Sequence, residues 1–206
     1  MAPESRATRQ RLLDATETLL RERGLVGAGI QQVVARSGAP IGSVYHFFPG
    51  GKTQLVAEAL QIHGEKARAL FERMLEDTSE PLPERLRRLF RTAASGFDRA
   101  GGDKSCAIGT VTLDLDLRHE ALREVCRDAL ERWIASIARQ LPWSDEGVRQ
   151  SFAETIVAAL EGAFILSRAR QSGRPFITVG ESLATILETS PSTDGRAAGT
   201  QRRRRR

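Results

Sequence analysis

Ser43, Tyr45 and His46 stand within four consecutive positions, and each carries a hydrogen-bonding group on a short stem: a hydroxyl, a phenol and an imidazole. Val44 and Phe48 are four residues apart and share one side of any helix drawn through them, so they pack inward. Gly42, Ser43, Tyr45 and His46 then project to the opposite side. A segment anchored by one face and polar on the other suits recognition of base edges and phosphates rather than bond making. Tyr45, Phe47 and Phe48 could together be core packing; Phe48 fits that description, whereas the hydroxyl of Tyr45 prefers solvent or phosphate.

Nothing elsewhere supplies a reacting group. The three histidines, His46, His63 and His119, have no plausible nucleophile beside them in sequence, and the chain lacks a Gly-rich phosphate loop, a GxSxG elbow and an HExxH pair. Cys106 and Cys126 have neither CxxC spacing nor a histidine cluster, which makes both small buried apolar residues rather than metal ligands. Asp114, Asp116, Arg118 and His119 read as a solvated helix terminus. No catalytic site, metal or cofactor is expected, and the chain is not read as an enzyme.

The elements that position these residues are helical throughout. Leu12, Ala15, Thr16, Leu19 and Leu20 fall on one face of a first helix ending near Gly24. Ile30, Val33 and Val34 form a second, stopped by Ser37 and Gly38, and Pro40 opens a third, closed by Pro49 to Gly51. Three short helices with these breaks make a helix-turn-helix whose second member, after Pro40, can enter a major groove. A fourth helix runs from Lys52 to about Glu76, and Pro81 and Pro83 open a fifth. Thr110 to Leu113 favour strand locally, but helical neighbours argue for a helix over 107–118. The seventh ends at Pro142, the eighth spans about 144 to 171, and the ninth lies near 176–187.

The fold class is therefore all-α, about nine helices, with a helix-turn-helix head over 1–51 and a helical domain over 52–188. Residues 189–206, rich in Ser, Thr, Gly and Pro and closed by five arginines, are read as a disordered basic tail. The net charge of +5 equals that arginine run, so the rest of the chain is neutral; residues 1–60 hold seven basic and five acidic side chains. Bulk charge thus says little, and the motif carries the expectation of DNA binding. No apolar run nears the roughly 20 residues of a membrane span and the N-terminus lacks a signal-peptide core, so a cytoplasmic protein is expected.

The stretch Ile30-Gln-Gln-Val-Val-Ala-Arg-Ser-Gly-Ala-Pro-Ile-Gly-Ser-Val-Tyr-His-Phe-Phe48, followed by Pro49-Gly-Gly-Lys-Thr-Gln-Leu55, closely resembles the signature of the tetracycline-repressor family. Its Pro-Gly-Gly-Lys turn resembles the lincomycin-resistance-regulator-like branch. The resemblance implies that Gly42 permits close approach to the duplex, Ser43 reaches a base edge or phosphate, Tyr45 bonds a phosphate, and His46 touches backbone or a thymine methyl. Lys52 would open a fourth helix whose first amides face a phosphate. Two departures remove polar contacts: Ile41 stands where many relatives have Lys or Arg, and Phe47 where many have a phosphate-binding His. The second helix also lacks a Ser or Thr cap, with Ala28 and Gly29 in its place. Arg6, Arg9 or the terminal arginines could compensate.

By the same resemblance the fifth to eighth helices enclose a cavity for a small apolar or aromatic effector, with Phe90, Phe97, Trp133, Phe152 and Phe164 as its candidate lining, although such stripes also serve as plain bundle core. It further implies a homodimer through the last two helices, where Ala158, Ala159, Gly162 and Ala163 permit close approach and Leu183 and Leu187 add apolar surface. The expected function is a regulator, most simply a repressor released by its effector from a pseudo-palindromic double-stranded operator. A ligand-binding or protein-interaction module that has lost operator binding is the alternative, given Ile41 and Phe47.

Overall fold

The computed structural model describes residues 3–189, so the tail expected over 189–206 lies, but for Thr189, outside the described residues. Among the described residues there are nine helices: α1 (Pro3–Gly27), α2 (Ile30–Ser37), α3 (Ile41–Phe47), α4 (Gly51–Leu75), α5 (Leu82–Arg99), α6 (Ala107–Asp114), α7 (Glu120–Ala138), α8 (Glu146–Arg170) and α9 (Arg174–Thr189). The all-helical reading holds. The α6 segment is helical against its local strand preference but stops at Asp114 rather than 118, because Leu115 turns to an extended conformation.

Helix ends follow the residues available. Gly38 closes α2 in the left-handed region at φ 64° and its N–H returns to the Val34 carbonyl. Gly29 precedes α2 with no side-chain cap, as its sequence implies. Asp145 caps α8 by accepting from the Val148 N–H at 3.0 Å. Pro83 sits in the first turn of α5, where its missing N–H costs nothing.

Val33, Val44 and Phe48 join Leu12, Leu13 and Leu20 in a core that holds α2 and α3 against α1. That core continues without a gap through Leu55, Val56 and Leu60 of α4 into the larger domain. There α5 packs along α9, α4 along α7, and α8 against both α7 and α9. Close backbone approach explains two glycines. A Cβ on Gly180 of α9 would stand 2.6 Å from Cβ of Phe90, and one on Gly64 of α4 would stand 3.1 Å from Cβ of Ala129.

One of the joints between the head and the larger domain is made by the backbone of Leu25. Gly24 interrupts α1 with φ 67° and ψ −166°, a conformation reserved for glycine. The break turns out the Leu25 peptide, whose N–H donates to Asp114 Oδ2 of α6 at 2.7 Å and whose carbonyl accepts from Lys52 Nζ of α4 at 2.8 Å. Asp114 is exposed at the end of α6 and is also an inter-helix anchor. Asp116 and His119 do remain local: Asp116 pairs with Arg118 and His119.

Candidate nucleic-acid interface and effector cavity

The seven residues of α3 divide as their spacing implies. Val44 and Phe48 are fully buried, while Tyr45 is 56% exposed and His46 is also exposed. Ser43 is half-buried, its N–H bonded to the Pro40 carbonyl at 2.9 Å. A Cβ built on Gly42 meets no atom within 4 Å, so nothing in the chain itself requires glycine there. Ile41 is 53% exposed beside them. Phe47 is half-buried, edge-on to His46 at 4.8 Å between ring centroids, which steadies the imidazole against the helix.

Lys52 differs from the other four candidate DNA contacts. Its ammonium is turned inward onto the Leu25 carbonyl, and burial lowers its pKa. It braces α4 against α1, leaving the helix N-terminus rather than the charge to face outward. Arg9 is likewise engaged, paired with Glu58 and lying over the Phe48 ring with 5.2 Å to the centroid. Arg6 is exposed. Of the cationic groups considered as compensation, Arg6 is therefore the one available within the described residues.

In the larger domain a cavity of about 570 Å³ opens between α6, α7 and α8. Leu113, Leu130, Phe164 and Ile165 give it apolar walls, with Thr110, Glu161 and Arg168 as polar lining. Of the five aromatic residues expected to line an effector site, it takes Phe164. Phe90 and Phe97 are sealed between α5 and α9, the Phe97 ring lying tilted against Phe176 with 6.0 Å between centroids. Trp133 welds α7 to α4, its indole N–H donating to the Gly64 carbonyl at 2.8 Å, and it borders a separate recess of about 190 Å³. Phe152 packs on Trp143 at 5.1 Å. These four are core, because a large apolar side chain at helical spacing turns to where the packing is densest.

The residues passed over are polar ones on cavity-facing turns. Glu161 carried a visible signal: it is the one charged residue between Glu154 and Arg168 in a mostly apolar run. Its pKa is raised by burial. Arg168 reaches from the cavity to the head, donating to the Glu22 carbonyl of α1 at 2.9 Å. Asp114, one residue beyond cavity-lining Leu113, grips Leu25 of the same helix. Cys106 and Cys126 are both buried, and burial drives the Cys106 thiol pKa well up.

A third link joins the same parts. His63 of α4 lies 3.0 Å from Glu17 of α1 through Nδ1, and its Nε2 accepts from the Ala107 N–H of α6 at 3.3 Å. Acceptance at Nε2 fixes the proton of the neutral ring on Nδ1, pointing at Glu17. Lys66 also pairs with Glu17. Burial would raise the Glu17 pKa, but the hydrogen bonds from His63 and Lys66 outweigh it and hold the carboxyl at about 2.

The chain matches known regulators in sequence and in overall fold. Residues 12–59 match the model of bacterial regulatory proteins of the tetR family, and residues 83–182 match the C-terminal domain of LmrA/YxaF-like transcriptional regulators. The HTH-type transcriptional regulator YxaF of Bacillus subtilis is 30% identical over 183 residues, covering 87% of this chain and 95% of its own length. LmrA of the same organism is 29% identical, covering 88% and 97%. Among solved structures, the regulatory protein TetR from Rhodobacter sphaeroides superposes with a TM-score of 0.78 at 21% identity, over 85% of this chain and 96% of that one. A TetR regulator from Chloroflexus aurantiacus gives 0.75 at 22%, over 92% and 98%. These relatives are transcriptional regulators, not enzymes, and the chain belongs to the TetR family of DNA-binding regulators, in its LmrA/YxaF-like branch.

Proposed function

We propose that the protein is a homodimeric repressor that leaves a pseudo-palindromic operator when a small apolar effector enters the α6–α8 cavity. The head, residues 1–51, reads DNA with Gly42, Ser43, Tyr45 and His46, and α4 presents its N-terminus to a phosphate with Lys52 as its brace. Residues 52–188 hold the effector and the dimer contact.

One observation carries the reading. The helix that lines the cavity with Thr110 and Leu113 also holds the head, through Asp114 on the Leu25 N–H. A ligand that displaces α6 must alter that grip, so effector and operator bind in competition through the same element. The dimer fixes the separation of two α3 helices at about 34–36 Å in the simplest operator geometry, and a shift of each head changes it.

The test is a gel shift with DNA from upstream of the protein's own gene, using wild type and the double variant Tyr45→Ala, His46→Ala. A shift by wild type that the variant weakens at least about 10-fold is expected for lost direct contacts. Absence of any shift by wild type, across DNA selected from a random pool, would favour a module without operator binding. An effector affinity equal with and without operator would refute the coupling.

A further inference from the structure

Glu161 is the one acid among the residues lining the α6–α8 cavity. Its side chain leaves α8 and crosses to α6, where the carboxylate lies on the bare Cα of Gly109: a Cβ there would stand 2.1 Å from Oε2 and 2.9 Å from Cδ. Oε1 is sealed from solvent and has no hydrogen-bond partner among the described residues. The Cys106 thiol beside it is a weak donor. Arg168, the other charged lining residue, is directed elsewhere, to the Glu22 carbonyl at 2.9 Å and Ser105 Oγ at 3.5 Å.

A desolvated carboxylate without a cation or strong donor is unfavourable. We propose that the effector taken by this cavity is an apolar molecule bearing one protonated amine, and that Glu161 binds the amine. The proposal rests on the effector reading above. Leu113, Leu130, Phe164 and Ile165 accept the hydrocarbon body, and the ammonium supplies both the missing charge and the missing donors. An anionic ligand would face repulsion from Glu161, and a neutral alcohol would leave its charge uncompensated. Drawing the carboxylate off Gly109 also removes a contact to α6, the helix that grips Leu25.

The experiment titrates the full chain calorimetrically with three probes of one shape: 1-naphthylmethylamine, 1-naphthylmethanol and 1-methylnaphthalene. Wild type is expected to bind the amine at least about 10-fold more tightly than either neutral probe, and Glu161→Gln to lose about that factor for the amine alone. Unaltered binding of 1-methylnaphthalene by the variant shows that its cavity is intact. A second variant, Gly109→Ala, keeps the charge but pushes the carboxylate off α6 and is expected to retain amine binding. If the neutral probes bind wild type as well as the amine does, or Glu161→Gln or Glu161→Ala binds the amine like wild type, the Glu161 assignment fails while the cavity survives as an effector site. Loss of amine binding in Gly109→Ala with the neutral probe retained also overturns it. If no probe binds wild type, both the assignment and the effector reading fall.

Discussion

At Gly42 a methyl group has open space on every side within 4 Å, yet the residue sits inside a seven-residue helix where glycine is unfavourable by about 1 kcal/mol relative to alanine. The fold gains nothing from glycine here, so its use points to something outside the chain that approaches the backbone. Gly42→Ala should therefore raise stability by about 0.5–1 kcal/mol in thermal or urea melts while weakening operator binding in a gel shift by about 10-fold. A variant that is stabilised and binds undiminished would remove Gly42 from the DNA contact. Tyr45 and His46 were legible from sequence for a related reason: Val44 and Phe48 filled the inward face, and the polar residues between them had one side left. Lys52 was not, because a long flexible amine can turn either way and its choice depends on the Leu25 carbonyl, which a glycine break twenty-eight positions upstream of Lys52 exposes.

At the scale of elements, three helices meet where the head joins the larger domain. The Leu25 peptide ties α1 to α4 and α6, and His63 relays Glu17 of α1 to the first amide of α6. The pKa of Glu17 lies at about 2 in the folded protein against an ordinary 4.5. Between those values the unfolded chain binds more protons, so this stabilisation is complete above about pH 4.5 and disappears as pH falls through about 2. Melting temperatures of wild type should decline across that acid window, and Glu17→Gln should be less stable at pH 7 and show a flatter decline. Identical acid limbs for the two proteins would remove Glu17 from the joint. Periodicity could not reveal this joint, since Glu17 and His63 are each polar residues beside a helix's apolar stripe and only their docking brings them to 3.0 Å.

For the whole molecule, the outer face of α8 includes Ala158, Leu166 and, at the cavity mouth, Ile165, with Gly162 between them open to an added side chain. Ile165 is 60% and Leu166 44% exposed, on a helix whose opposite side is fully packed. Alongside it α9 presents the small polar residues Thr178, Ser182 and Thr185. Under the proposed homodimer this face would be the one to pair, rather than all of the residues expected for it: Ala163 and Leu183 are buried within the monomer, while Ala159 and Leu187 are half-buried. A charge at its centre would be desolvated without a partner. Leu166→Arg should shift sedimentation from dimer to monomer and reduce operator affinity by at least about 10-fold, because one head binds one half-site. A Leu166→Arg protein that still sediments as a dimer would place the interface elsewhere.

Local spacing along the chain was enough to determine most of the helices and the outward face of α3, since each depends on residues within a turn or two of one another; the family was carried by the resemblance of residues 30–55, and the end of α6 at Asp114 was not legible from spacing. Only tertiary structure decided which aromatic side chains line a space and which fill one. It also decided which of two amphipathic faces on α8 is left uncovered, and that Asp114, Glu161 and His63 bridge helices. Those outcomes depend on which distant backbone a side chain meets, and the helical period contains no information about that.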